Sequence, residues 1–147
     1  MTVLGKLTPC TSFQIMPEET VYTITDWYDG PRGGVASFEG QPHYYESRWD
    51  NELDDWSTYY LLTPLDATTF QLALEDWAIW ERWEAAFKKG ETTNDTHPAL
   101  PEDQVRHKEI DQLLTGKLVV SPLSSFRARA TFHYVGSKSF VEWSVIR

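Results

Sequence analysis

The stretch WYDGPRGGVASFEGQPHYYESRW, residues 27–49, decides the fold of this chain. Glycine and proline cluster at residues 29–34 and again at 39–42, and both residue types supply the backbone dihedrals that tight turns need. The segments beside these turns carry aromatic residues that favour strands. The pattern therefore predicts a β-meander. The same density of turns and amphipathic aromatics is typical of a contact surface, and the sequence leaves both interpretations open.

Outward from this stretch, strand-favouring segments alternate with turn signals. We expect a turn at Asp29–Gly34, an acidic loop at Asp50–Asp55 and, near the start of the chain, a short strand at Val3–Leu7. The meander itself has four predicted strands, which are Thr20–Tyr28, Val35–Phe38, Pro42–Trp49 and Trp56–Thr63.

Two helices are predicted in the middle of the chain. The first covers Phe70–Lys89, with Asp66 or Thr68 as its cap and Gly90 after its end. The second begins at Pro101 and ends before Gly116. Its predicted apolar stripe consists of Val105, Ile110, Leu113 and Leu114.

The chain then returns to strands, at 117–120, Phe126–Val135 and 140–146. In Phe126–Val135 apolar residues alternate with polar ones, as in a half-buried strand. The order of strands, two helices and strands predicts one α+β domain over residues 1–147. Its twisted antiparallel sheet, a meander plus a C-terminal hairpin, would curl as far as a half-barrel and pack against the two helices.

Composition bears on compartment and partners. Cys10 is the only cysteine, so an internal disulfide cannot form, which favours a reducing compartment. The first residues lack the pattern of a signal peptide, and no apolar run reaches the roughly 18–20 residues of a membrane span. We expect a cytoplasmic protein that does not associate with membranes.

The net charge of −9 is unevenly distributed. Residues 1–115 hold 8 basic and 21 acidic residues, a balance of −13, whereas residues 116–147 hold 5 and 1, a balance of +4. An acidic majority repels phosphate, which argues against general nucleic-acid binding. The basic end is either a local anion site or the internal complement of the acidic part.

Several segments carry a resemblance to known sequences. DGPRGGVA at 29–36, GQPHYYES at 40–47, LEDW at 74–77, RWE at 82–84 and HPALPED at 97–103 resemble a group of small bacterial proteins of unknown activity. The resemblance extends over about residues 20–115. It implies no reaction, ligand or site residue.

The first helix is apolar over an arc of about 220°, more than the roughly 100° that a surface helix needs. One interpretation is a central helix packed between the sheet and the second helix. The other is a partner or homo-oligomer interface, because tryptophan is enriched at interfaces. The candidate interface residues are Trp77, Trp80, Trp83 and Phe87.

Arginine and histidine alternate along one face of the strand Phe126–Val135. Arg127, Arg129 and His133, with Arg32 from the glycine-rich turn, are a candidate site for a small anionic ligand, since guanidinium groups bind carboxylate and phosphate. The alternative is a solvated face or a set of internal ion pairs.

His43, with Asp29 or Glu46, is the one plausible acid–base group. The loop DNELDD lacks the spacing of a calcium loop, and His97, His107 and His133 lack metal-ligand spacing. We expect no metal centre and no cofactor.

Three functions stay open. The favoured one is a non-catalytic binding or regulatory module with a protein partner, itself or a small ligand. The second is a small hydrolase-like enzyme that uses His43. The third is an acidic mimic of nucleic acid that occupies a basic partner.

Overall fold

The computed structural model describes residues 17–147. The expected strand at Val3–Leu7 and Cys10 lie outside these residues. In chain order the strands and helices are β1 (Glu19–Trp27), β2 (Pro31–Phe38), β3 (Gln41–Glu46), β4 (Trp49–Asp50), β5 (Asp55–Trp56), β6 (Tyr60–Pro64), α1 (Ala67–Lys88), α2 (Gln104–Leu113), β7 (Phe126–Val135) and β8 (Lys138–Val145). Short 3₁₀ turns at Asn94–Thr96 and Pro101–Asp103 precede α2.

Six antiparallel strands close into a barrel in the order β1-β2-β3-β6-β7-β8. This confirms the predicted α+β class, but the expected half-barrel is in fact closed. Strand β8 pairs with β7 along its whole length and also reaches β1, where Thr20 lies opposite Phe140. Closure leaves the main sheet without an open edge. The predicted strand Trp56–Thr63 is split, because β4 and β5 form a separate hairpin that carries the acidic loop.

Aromatic side chains fill the barrel, and backbone carbonyl groups accept hydrogen bonds from their polar tips. The hydroxyl of Tyr45 donates to the carbonyl of Thr23 at 2.9 Å, and Trp143 Nε1 donates to the carbonyl of Ser37 at 2.9 Å. Burial raises the pKa of Tyr45, so its hydroxyl stays a donor at neutral pH. The buried core consists of Val21, Ala36, Phe38, Tyr45, Tyr60, Leu62, Ala128, Val141 and Trp143.

The predicted turn at Asp29–Gly34 is wrong in its second half, because β2 already begins at Pro31. Asp29 and Gly30 make the turn, with φ angles of 61° and 126°. Gly34 instead allows β1 and β2 to approach each other closely. A Cβ atom there would lie 2.1 Å from the Thr23 carbonyl oxygen, so no larger residue fits.

Helix α1 begins earlier than predicted, because the Asp66 carboxylate caps it by accepting from the Thr69 amide at 2.7 Å. The predicted stripe of α2 is wrong for Val105 and Leu113, which are 76% and 54% exposed, whereas Ile110 is fully buried.

The strand expected at 117–120 is a loop. Within residues 17–147 every strand of the barrel already pairs on both sides, so this segment does not add a strand to it.

Helix α1 lies against the outside of the barrel. Phe70 of α1 packs edge-on against Tyr22 of β1, with ring centroids 4.9 Å apart. Helices α1 and α2 meet through a small cluster of Ile79, Ala99 and Ile110. Within residues 17–147, none of the helices combines the length and apolarity that crossing a membrane requires.

Candidate functional site

A pocket of about 600 Å³ lies between β1 and the helical layer, and we call it the barrel–helix pocket. Its volume falls within the roughly 300–1,000 Å³ that is usual for small-molecule sites. The pocket is lined by Thr23, Ile24, Thr25 and Trp27 of β1, by Ala73, Asp76, Trp77 and Trp80 of α1, and by His97, Pro98, His107, Leu114 and Leu118.

Helical periodicity brings the α1 residues of the pocket together. Ala73, Asp76, Trp77 and Trp80 stand at positions i, i+3, i+4 and i+7, so they share one face of the helix. The rings of Trp77 and Trp80 lie 4.8 Å apart at an angle of 30°. Trp27, 59% exposed, lies at the end of β1 beside this wall. Three indole rings therefore give the pocket flat, apolar surfaces.

One hydrogen-bonded pair supplies polar chemistry in the pocket. His107 Nδ1 lies 2.7 Å from Asp76 Oδ1, and both side chains are partly exposed. An ionised carboxylate only accepts hydrogen bonds, so Nδ1 must donate. The other two polar atoms of the pair, Asp76 Oδ2 and His107 Nε2, take no part in this hydrogen bond. With the imidazole in its neutral form, both of these atoms are acceptors.

Trp83 fixes the loop that carries His97 into the pocket. Its Nε1 donates to Thr96 Oγ1 at 2.8 Å, its ring meets His97 edge-on at 4.6 Å, and it stacks on Phe87 at 5.0 Å. Trp83 is 6% exposed and Phe87 39% exposed. The four residues predicted as an interface thus have different surroundings, because Trp77 and Trp80 line the pocket whereas Trp83 is buried.

The structure does not bring the predicted acid–base residues together. His43 is 6% exposed, its Nδ1 lies 2.9 Å from the Gln41 carbonyl oxygen, and its ring packs against Phe38 and Phe126. Asp29 lies in the β1–β2 turn at the other end of β2.

Glu46 lies on the opposite face of β3 from His43. Its carboxylate accepts from the Tyr44 hydroxyl at 2.9 Å and from Arg48 Nε at 2.5 Å. Burial of Tyr44, together with its hydrogen bond to Glu46, raises the pKa of this tyrosine. These contacts stabilise the outer face of the strand.

The predicted anion-binding residues each have their own neighbours. The Arg32 guanidinium lies 4.3 Å from the centre of the Trp56 ring and donates to the carbonyls of Tyr28 at 2.8 Å and Asp29 at 2.9 Å. This arginine therefore holds the β1–β2 turn against the β4–β5 hairpin.

The other predicted anion ligands lie on the outer face of β7. Arg127 stacks over Tyr59 at 5.3 Å, Arg129 is exposed, and His133 contacts the Glu18 carboxylate. His133 is thus beside negative charge rather than in a purely basic cluster.

Sequence reasoning missed Asp76 and His107 as a pair, since 31 residues separate them. The available signal was an aspartate on the same helix face as Trp77 and Trp80. Comparison with known proteins adds nothing to this geometry, because no protein-family model, no curated protein and no solved structure matches the chain.

Proposed function

We propose that this protein is a binding module whose ligand is a planar aromatic molecule that carries an amino or similar donor group. The observation that carries the proposal is the barrel–helix pocket, which is lined by three indoles and by one polar pair, Asp76 and His107. Pockets that combine apolar walls with a few placed polar groups are the usual form of small-molecule sites.

The walls would supply most of the affinity. Trp77 and Trp80 line the pocket, so a planar ligand would pack against their rings, and aromatic pairs contribute about 0.5–1.5 kcal/mol beyond their buried area. Trp27 is more than half exposed without a ligand, so a molecule placed against it would remove apolar surface from water.

The polar pair would supply selectivity. Asp76 Oδ2 accepts hydrogen bonds and carries negative charge, so it favours a ligand that donates. A ligand with a carboxylate in the same place would face like charge on Asp76. A ligand without a donor group would displace water from Asp76 Oδ2 and leave that oxygen without a hydrogen bond, which weakens binding.

Self-association through the aromatic surface of α1 is not part of this proposal. Trp83 is buried, and Trp77 and Trp80 are partly buried and line the pocket, so Phe87, 39% exposed, is the most exposed of the four residues.

A second candidate is an enzyme that uses His107, not His43, as its general base. The supporting observation is the 2.7 Å bond to Asp76, which orients the imidazole as a catalytic carboxylate would. The pocket hydroxyls of Thr23 and Thr25 are hydrogen-bonded to the backbone at Val35 and Gly33, so water is the better candidate for the nucleophile. Conversion of a bound ligand, followed by mass spectrometry, distinguishes this candidate from simple binding.

The test is a fragment screen by saturation-transfer NMR that compares aminoquinolines with quinoline carboxylic acids. We expect the wild type to bind the amines in preference to the acids. Thr25→Trp places a large ring at an exposed position of the lining, so it should abolish binding. Leu53→Trp, an exposed substitution on the β4–β5 hairpin, is the matched control and should bind as the wild type does. Equal binding by Thr25→Trp and the wild type would overturn the proposal.

A further inference from the structure

We propose that Glu18, His133 and Glu142 form a binding site for a divalent transition-metal ion, with Zn²⁺ the best match. One ligand atom from each of the three side chains lies within 4.8 Å of the other two. The site is separate from the barrel–helix pocket, so it does not rest on the function proposed above.

Strand register builds the site. Thr131 lies opposite Glu142, and His133 lies opposite Phe140, so His133 and Glu142 are diagonal neighbours on the β7–β8 hairpin. Glu142 lies between the buried residues Val141 and Trp143 and therefore faces outward, and the register places His133 on the same outer face.

Glu18 directly precedes β1, the strand that pairs with β8, and its carboxylate contacts His133 Nε2. The Phe140 ring stacks on the imidazole at 5.9 Å and holds its orientation. The residue before β1 and one residue each from β7 and β8 thus lie close together.

The types of ligand atom at the site indicate which metal ion it would bind. One imidazole nitrogen and two carboxylate oxygens suit zinc, which binds such atoms at about 2.0–2.2 Å. In a tetrahedral site the ligand atoms would lie roughly 3.4 Å apart. The direct contact between Glu18 and His133 would therefore have to open and the wider separations close, which rotations of these exposed side chains can achieve. The fourth position would hold water.

Charge also favours a cation. Two carboxylates offset the charge of a divalent ion, and within residues 17–147 neither glutamate forms a salt bridge with lysine or arginine. Arg129 lies on the same outer face, yet the two carboxylates point toward His133 and each other. The same face that the sequence suggests for anions therefore presents a cation site at this end.

The ion would lie across the seam that closes the barrel. Strands β1 and β8 pair over three positions only, from Glu19–Val141 to Val21–Ser139. A metal that joins Glu18 to the β7–β8 hairpin would tie this short seam together. Because the unfolded chain cannot assemble the three ligands, binding would stabilise the folded protein.

The test measures Zn²⁺ binding by isothermal titration calorimetry and the melting temperature with and without Zn²⁺, on metal-free wild type. We expect one equivalent of Zn²⁺ to bind and the melting temperature to rise. His133→Gln and Glu142→Gln should each weaken binding by about tenfold or more and abolish the rise. Glu52→Gln, which removes an exposed carboxylate in the loop between β4 and β5, should behave as the wild type.

Co²⁺ serves as a second probe, because its visible absorption reports ligands and geometry. The wild type should give a spectrum that His133→Gln lacks, while circular dichroism shows the variant folded. An adventitious ion only would appear as equal Zn²⁺ binding by the wild type and His133→Gln. That result, or absence of binding by the wild type, would overturn the proposal.

Discussion

The interior of the barrel and the barrel–helix pocket are both built from aromatic rings, yet one is filled and the other is open. Inside the barrel, Tyr45 and Trp143 donate to backbone carbonyls and pack ring against ring at 6.1 Å. In the pocket, the indoles of Trp77 and Trp80 border about 600 Å³ of space. Aromatic content therefore does not separate a core from a site. What separates them is whether neighbouring groups of the protein occupy the space and bind the polar tips.

The largest effect should follow a change inside the barrel wall. Gly34→Ala would place a Cβ atom 2.1 Å from the Thr23 carbonyl oxygen and 2.7 Å from the Tyr45 hydroxyl. Because backbone must move, we expect about 3 kcal/mol of destabilisation or more, measured by urea unfolding. Gly33→Ala is the control, since its nearest contact is a side-chain carbon at 3.3 Å. Equal losses for the two variants would contradict the close-approach role of Gly34.

A matched pair of tryptophan substitutions tests the comparison itself. Trp143→Phe leaves the buried Ser37 carbonyl without its donor and opens a cavity, so we expect a loss of about 2–4 kcal/mol. Trp77 borders the open space of the pocket, so Trp77→Phe should lower the free energy of unfolding by less than about 1 kcal/mol. Thermal unfolding of both variants gives the answer. If Trp77→Phe were the more destabilising, the wall of the pocket would be core rather than site.

The polar pair should matter for binding more than for stability. We expect Asp76→Asn to weaken the binding of an aminoquinoline by about tenfold, or roughly 1.4 kcal/mol, with little change in the melting temperature of the protein. Glu75→Gln is the neighbouring control, because Glu75 pairs with Arg106 at 2.7 Å and does not line the pocket. Titration by NMR compares the two, and equal affinities would remove Asp76 from the site.

The smallest effect concerns the cap of the helix that carries the pocket wall. Hydrogen bonds from Thr69 lower the pKa of Asp66 below its ordinary value. A carboxyl group with a lowered pKa stabilises the folded protein at pH values above its ordinary pKa. This stabilisation is lost as the pH falls through the folded-state pKa.

Asp66→Asn keeps a capping oxygen but cannot titrate. The wild type and the variant should therefore melt alike near pH 7, and the wild type should lose slightly more stability between about pH 5 and pH 2. Identical slopes of melting temperature against pH would contradict this account.

Local sequence patterns predicted most helices and strands, but they could not predict which distant strands pair. Alternation located β7 and capping signals located α1, since both depend on neighbours in sequence. Barrel closure depends on three residue pairs between β1 and β8, more than a hundred residues apart, which no local period encodes.

The candidate site was harder to predict for the same reason. The tryptophans of α1 were evident, but their role depends on what lies opposite them. Nothing in the sequence around His107 distinguishes it from a histidine on the surface of a helix. Only the packing of α2 on α1 places it against Asp76. The glycine-rich segment misled in a different way, because Gly34 permits close strand contact rather than a turn.

The most direct test of the central claim is to follow the tryptophan indole NH signals in a ¹H–¹⁵N NMR titration with an aminoquinoline. We predict that the signals of Trp27, Trp77 and Trp80 shift together and saturably, while that of Trp143 inside the barrel stays in place. Shifts confined to Trp49 and Trp56 at the end of the barrel, or none at all, would contradict the claim that the barrel–helix pocket is the binding site.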